Sequence, residues 1–209
     1  WRSRDGRLWT PAQVWIDSGY HEHTNAVYDF CREANARKGL KVEVYRPTKG
    51  YGEGQTAGRY VSPEKSDSQV IFVGDQYHIS HVRRKGKRVG IHLVHVNTDA
   101  FKSRFHERLA MPADQPGAIT LYDAAHTNEH ADWSHQVTAE HQVEKFIKGR
   151  GTVHVWERHD RNNHYLDAGH LATAALFFLL EGRARAAKKK RVRLSDRQRE
   201  RERVTIAHG

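Results

Sequence analysis

The chain has 209 residues, of which 37% are hydrophobic and 29% charged, and its formal net charge is +10. That length fits one domain, or one domain with tails, and the apolar fraction suffices for a modest core. The single cysteine, Cys31, excludes an internal disulfide and a Cys–His zinc module, and fits a reducing compartment without proving one. No apolar run reaches the roughly 18 residues that would mark a spanning helix. The chain begins at Trp1 rather than at a methionine or a signal peptide, and is expected to continue a longer sequence. Its charge is uneven. Residues 183–203 hold eleven Lys or Arg against three acids, or +8, which leaves +2 for the remainder.

In chain order, Val14-Trp15-Ile16-Asp17-Ser18-Gly19 reads as a buried strand with an acid at its C-terminal end. In open α/β sheets sites are built at that end, although an Asp there also caps turns. Thr24 can cap a helix running to about Ala36, with Val27, Phe30, Cys31 and Ala34 on its apolar face. Lys38-Gly39 closes that helix, and Leu40 to Tyr45 alternates as a strand. Strand, helix, strand is a βαβ unit, so the second strand is expected parallel to the first. Residues 46–68 read as a long loop.

Val70 to Val73 is a short strand. A hairpin follows, His78–Val82 and Val89–Val96, around a turn in which Arg83, Arg84, Lys85, Lys87 and Arg88 could reach a phosphate backbone or simply face solvent. His92 and His95 fall on opposite faces of a strand and are not a metal pair. Thr98 is expected to cap a helix whose core face is Phe101, Phe105 and Leu109, with Lys102 projecting away. Gly117–Tyr122 reads as a strand, 123–131 as a polar loop, and Asp132–Glu140 as a helix. His141–Lys148 and Thr152–Glu157 form an antiparallel pair, anchored by Trp156. The basic segment from Arg183 onward reads as flexible, or helical only when bound, and Lys188, Lys189, Lys190 and Arg191 could dock on phosphates without sequence preference.

The last apolar helix carries the sharpest signal. Asp167, Leu171, Ala174 and Phe178 share one face, so a carboxylate heads a stripe that otherwise reads as core. An ionised Asp there is costly unless something pairs with it. A metal ion would account for it, with His164 and His170 at i−3 and i+3; so would the favourable field of the helix start. The chain has no phosphate-binding loop of the ATPase kind and no nucleophile-elbow motif.

Taken together, Ile16-Asp17-Ser18-Gly19-Tyr20, Val27-Tyr28-Asp29-Phe30-Cys31, Val96-Asn97-Thr98-Asp99 with Lys102, Arg108-Leu109, Pro116-Gly117, Thr138-Ala139-Glu140 and Asn163-His164-Tyr165-Leu166-Asp167 resemble the nuclease half of a tailed-phage terminase large subunit of the lambda (GpA) type. The resemblance covers roughly residues 10 to 180, in order. It implies an RNase H-like α/β fold, a mixed sheet flanked by helices, over residues 1–182, with 183–209 as a basic tail. It implies a metal-dependent endonuclease that cuts concatemeric double-stranded DNA, using two Mg²⁺ or Mn²⁺ ions between acidic residues. Asp17 matches the second acid and Asp167 the third, both as metal ligands; the first acid lies on a strand upstream. His164 stands where many relatives carry Glu or His and could assist as a ligand or acid–base group. ATP would belong only to the upstream motor domain. Partners would be the terminase small subunit and the portal protein, in the host cytoplasm, with no membrane. The alternatives are a non-catalytic DNA-binding or assembly module, and another RNase H-like nuclease such as a junction resolvase.

Overall fold

The computed structural model describes the backbone of residues 2–3, 5–37, 42–52, 59–61, 70–72, 76–85, 87–126, 128–149 and 151–206, and the side chains of these except 59–61, 70–72, 185 and 187–206. Contacts divide the chain into two units, Trp1–Ala174 and Ala175–Gly209. The first holds every strand. The main sheet has four, β1 (Val14–Asp17), β2 (Tyr45–Tyr51), β6 (Lys87–Asn97) and β5 (Tyr77–Arg84), in the order β1-β2-β6-β5. β1 runs parallel to β2 and β2 parallel to β6, while β5 and β6 form an antiparallel hairpin. It is the mixed sheet of the RNase H-like α/β architecture expected. Two further pairs are antiparallel: β3 (Arg59–Val61) with β4 (Val70–Phe72), and β7 (Glu140–Ile147) with β8 (Gly151–Arg158).

α1 (Thr24–Arg37) covers one face of the sheet. Cys31 packs there with Val82, Ile91 and Leu93, and Val27, Tyr28 and Ile16 close the cluster. Phe30 was expected in this face but is 52% exposed, edge-on to Tyr45 at 5.9 Å. Asn35 joins α1 to β2: its Oδ1 accepts from the N–H groups of Val44 and Tyr45, both at 3.0 Å, and its Nδ2 donates to the Tyr45 carbonyl.

The second strand begins at Tyr45, where the alternation of Leu40 to Tyr45 had placed its end, and takes in Pro47 and Gly50 from the expected loop. Residues 38–41 lie outside the described residues. The register shows why proline is tolerated in a strand with neighbours on both sides. Pairing with β6 starts at Thr48, after Pro47, so no ladder bond to β6 needs the missing N–H.

α2 (Thr98–Ala110) leads directly from β6. Its N-cap is Asn97, not Thr98: Asn97 Oδ1 accepts from the Ala100 N–H at 3.0 Å. Phe101 and Phe105 are buried as expected. Phe105 packs with Val137 of α3 (Ala131–Val137) and Leu166 of α4 (His164–Ile206), flanked by Leu109, Ile119 and Trp133. Gly117–Tyr122 is irregular rather than a strand. Its groups are satisfied locally, with the Ile119 N–H donating to the Arg108 carbonyl and the Tyr122 hydroxyl to Glu129. α4 is helical on through Ile206, including the basic segment read as flexible or helical on binding. Among the described residues no helix is long and apolar enough to cross a membrane.

Gly169 sets the spacing between α2 and α4. A Cβ at that position would lie 2.5 Å from the Phe105 ring. Alanine gains up to about 1 kcal/mol in helix propensity over glycine, but overpacking a core contact costs typically 1–3 kcal/mol. Gly169→Ala is therefore expected to lower stability by roughly 1 kcal/mol, and Phe105→Leu to relieve the loss in the double variant. Denaturant unfolding of the three proteins checks this; a stabilised single variant would show that the ring yields.

Candidate active site

Parallel strands place their C-terminal ends on one edge of a sheet. Here β1, β2 and β6 deliver Asp17, the Gly50–Gly52 backbone and the Asn97–Asp99 turn to the same edge. α4 and the β7–β8 pair complete a cleft of about 470 Å³. Its acidic lining is Asp17, Asp99, Glu140 and Asp167; its basic lining is Lys102 and Arg158. Trp156, Asn163, His170 and Leu171 form the rest of the wall with the glycines and Thr98.

Each side chain is held by its element. Asp17 Oδ1 accepts from the Gly19 N–H at 2.9 Å, the turn-forming use of a strand-end Asp. The close approach of β2 to α2 requires glycine. A Cβ at Gly50 would lie 2.5 Å from Thr98 Cγ2, and one at Gly52 would lie 3.0 Å from Asp99 Oδ1. Lys102 is buried, and its Nζ donates to Glu140 Oε2 at 2.6 Å and lies 4.0 Å from Asp167 Oδ1. Asn163 Nδ2 donates to the other Glu140 oxygen at 2.7 Å. Trp156 Nε1 donates to the Asp99 carbonyl at 3.2 Å, fixing β8 against the first turn of α2.

Burial dominates the electrostatics. It pushes the Asp99 carboxyl up to about 6, with Glu140 adding to the rise and Lys102 opposing it. Asp167 is raised for the same first reason, reinforced by the charges of Glu140 and Asp17 and opposed by Lys102 and His164. Burial acts upward on Glu140 as well, but the hydrogen bond and charge of Lys102 and the Asn163 bond outweigh it, and its carboxyl lies below the usual range. His170 is driven down to about 3 by burial and by Lys102, so it is neutral; its Nδ1 donates to the Leu166 carbonyl at 3.2 Å. Among the described residues no three His, Cys, Asp or Glu groups converge as a ready-made ion cage. The cleft instead offers four carboxylates along its lining, with an ammonium already among them.

The structure brings Asp17 and Asp167 into the lining of one cleft, where the charge of Asp17 adds to the rise of the Asp167 carboxyl. His164 is exposed on the first turn of α4 and reaches Asp167 only as a nearby charge. The hairpin turn is elsewhere. Lys87 and Asn97 are opposite ends of β6, about 30 Å apart at the rise of a strand. There Arg84 is committed to Asp29, at 3.0 and 3.2 Å, and to the Asn25 carbonyl, whereas Lys85, Lys87 and Arg88 are exposed and Arg83 is half-buried. Lys188, Lys189, Lys190 and Arg191 lie on helical backbone, their side chains outside the described residues.

Asp99, Lys102, Glu140 and Asn163 entered the sequence reading as parts of the motifs that carry the resemblance, and Arg158 not at all; none was singled out as lining the site. Lys102, expected only to project away from the Phe101, Phe105 and Leu109 face, does so and lines the cleft. α2 is buried on more than the Phe101–Phe105 face, because β8 and α4 pack beside it. A basic residue one position after a buried Phe, on a helix leaving a strand end, was the available signal.

Of this chain, 47% aligns at 31% identity over 103 residues with the terminase large subunit of Escherichia phage lambda, and the matched stretch is 16% of that protein. The chain thus spans only a part of its relative's length. No solved structure matches. A family model described as the endonuclease domain of the terminase large subunit gpA matches residues 1–185. With the strand-end Asp17 and the helix-borne Asp167 in one cleft, and that match over most of its length, the chain belongs to the terminase large subunit gpA endonuclease-domain family.

Proposed function

We propose that this chain is the part of a phage packaging terminase that hydrolyses double-stranded DNA, and that its cleft works with a divalent cation. The observation that carries the reading is the meeting of Asp17 and Asp167, from the two ends of the domain, beside Asp99 and Glu140. The donor set suits the ion. All four groups are carboxylates, the choice of a hard cation such as Mg²⁺ or Mn²⁺. Burial and mutual repulsion hold Asp99 and Asp167 above their usual range, so a positive charge is what the cleft lacks. Mg²⁺ is commonly held by one or two carboxylates, with water and substrate phosphate completing its shell. Asp17 and Asp167 would hold it here. Bound there, the ion would supply charge stabilisation to a phosphodiester and a more acidic water.

The chain's own groups do the positioning. Asn163 and Lys102 fix Glu140, Trp156 fixes the Asp99 turn, and neutral His170 and Leu171 close the wall behind Asp167. Cutting of concatemers during packaging, alongside a small subunit and a portal, is part of the same proposal and is supported by the family match. The basic stretch Lys188–Arg191 would add contacts to DNA phosphates.

In the full-length protein, Asp167→Asn is expected to reduce Mg²⁺- or Mn²⁺-dependent plasmid cutting to background. Stability in the metal-free state should hold or rise, because a carboxylate crowded by like charges is removed. A mere helix-start charge would instead lose about 0.3–1 kcal/mol of stability and no activity. A nicking assay beside a thermal melt separates the two.

The pH dependence has a definite sign. A carboxyl raised by folding binds its proton more tightly folded than unfolded, so its contribution is greatest at low pH and is lost as pH rises through the folded value. Asp99, at about 6, and Asp167 therefore make the metal-free protein less stable as pH rises into the neutral range. The lowered carboxyl of Glu140 acts oppositely, but its contribution is already in place above its ordinary value of 4.5. The stabilisation conferred by Mg²⁺ should thus be larger at pH 8 than at pH 5; melting curves showing an equal shift at both would contradict the reading.

Replacing Lys188, Lys189, Lys190 and Arg191 by Gln is expected to flatten the salt dependence of duplex binding, by roughly 0.9 in the log–log slope for each phosphate no longer neutralised. Equal slopes, measured by titration at several salt concentrations, would assign the segment another role.

A further inference from the structure

Lys102 occupies a place that the proposed reaction does not need a lysine to fill. Its Nζ is 2.6 Å from Glu140 Oε2 and 4.0 Å from Asp167 Oδ1, and its side chain is only 10% exposed. Glu140 is equally enclosed, at 6%, and both its oxygens are taken, one by Lys102 and one by Asn163. Asp167 is 46% exposed and keeps no such partner at hydrogen-bond distance from Lys102. The ammonium is thus bonded to one carboxylate and poised beside a second.

We propose that Lys102 is a positioning residue that acts as a built-in cation: it withholds Glu140 from ion coordination, leaving Asp167 with Asp17 to take the divalent ion. The inference rests on the function proposed above. The positive charge beside Glu140 is then the chain's own ammonium. Coulomb attraction and desolvation both favour this. A buried carboxylate needs a counter-charge, and a lysine delivered by α2 is always present, whereas an ion must be recruited from solution and give up water. Asn163 then fixes the direction of Glu140, so the ammonium stays on the side facing Asp167.

Two substitutions should move ion binding in opposite directions. In Lys102→Met, Glu140 loses its counter-charge and becomes available to the ion. Mn²⁺ affinity, measured by calorimetry on the whole chain, is expected to rise on the order of tenfold, the scale on which groups around a metal site act, and the Mn²⁺-induced melting shift to grow. In Glu140→Gln the ammonium loses its partner and is drawn to Asp167, so Mn²⁺ binding should weaken. Lys102→Met with Glu140→Gln should lose the gain of the first variant. The Glu140→Gln arm stands even where Lys102→Met does not fold. Mn²⁺ binding like wild type in either single variant would overturn the inference while leaving the divalent-ion reading intact. Absence of any Mn²⁺ response in the wild-type chain would overturn both.

Discussion

The Lys102–Glu140 contact ties together distant parts of the chain that also meet in the Phe105, Val137 and Leu166 core. Lys102 belongs to α2, Glu140 opens β7, and Asn163 precedes α4; one carboxylate bonds to both of the others. Removing one partner from such a buried pair costs typically 3–5 kcal/mol, because the charge left behind has lost its water as well as its partner. Replacing the pair by apolar groups is often neutral. Its value therefore lies less in net stability than in specification. The arrangement that pairs these charges also places Asp99 and Asp167 in the lining of one cleft.

Backbone proximity makes the arrangement reachable. Where β2 passes α2 and where α4 passes α2, the positions are Gly50, Gly52 and Gly169, each with a neighbour that any Cβ would press or displace. Elements this close limit the water that reaches Asp99 and Asp167, and burial is the first cause of their raised carboxyls. The packing that builds the cleft thus also generates its need for positive charge.

What was legible in the sequence was local. Asp17 could be found because a short apolar strand ends in it, and Asp167 because it heads a stripe that is otherwise Leu, Ala and Phe. The parallel β1–β2 pairing followed from strand–helix–strand order, and the β7–β8 pair from two short segments, His141–Lys148 and Thr152–Glu157, close in the chain. What was not legible depended on contacts between distant segments. Lys102 was placed only off the Phe101, Phe105 and Leu109 face, and what it meets there, Glu140, lies 38 residues along the chain. Glu140 read as a helix end, whereas α3 stops at Val137 and Glu140 starts a strand. The strand containing Pro47 and Gly50 has the composition of a loop, and only its place between β1 and β6 makes it extended.

The charges of the cleft carry one more consequence. Its lining holds four carboxylates and two basic side chains, Lys102 and Arg158. With all six ionised, the local balance is two negative charges, and DNA would bring more. A polyanion cannot settle on such a surface unaided, since like charges in a partly dry site repel strongly. Had Lys102 been absent, a single divalent ion would leave the lining negative; with Lys102 and Arg158 in place, one ion brings it to neutrality. On the proposed reading the lysine would set how many metal charges the cleft needs before a phosphate can enter, from a helix on which Phe101 and Phe105 are buried.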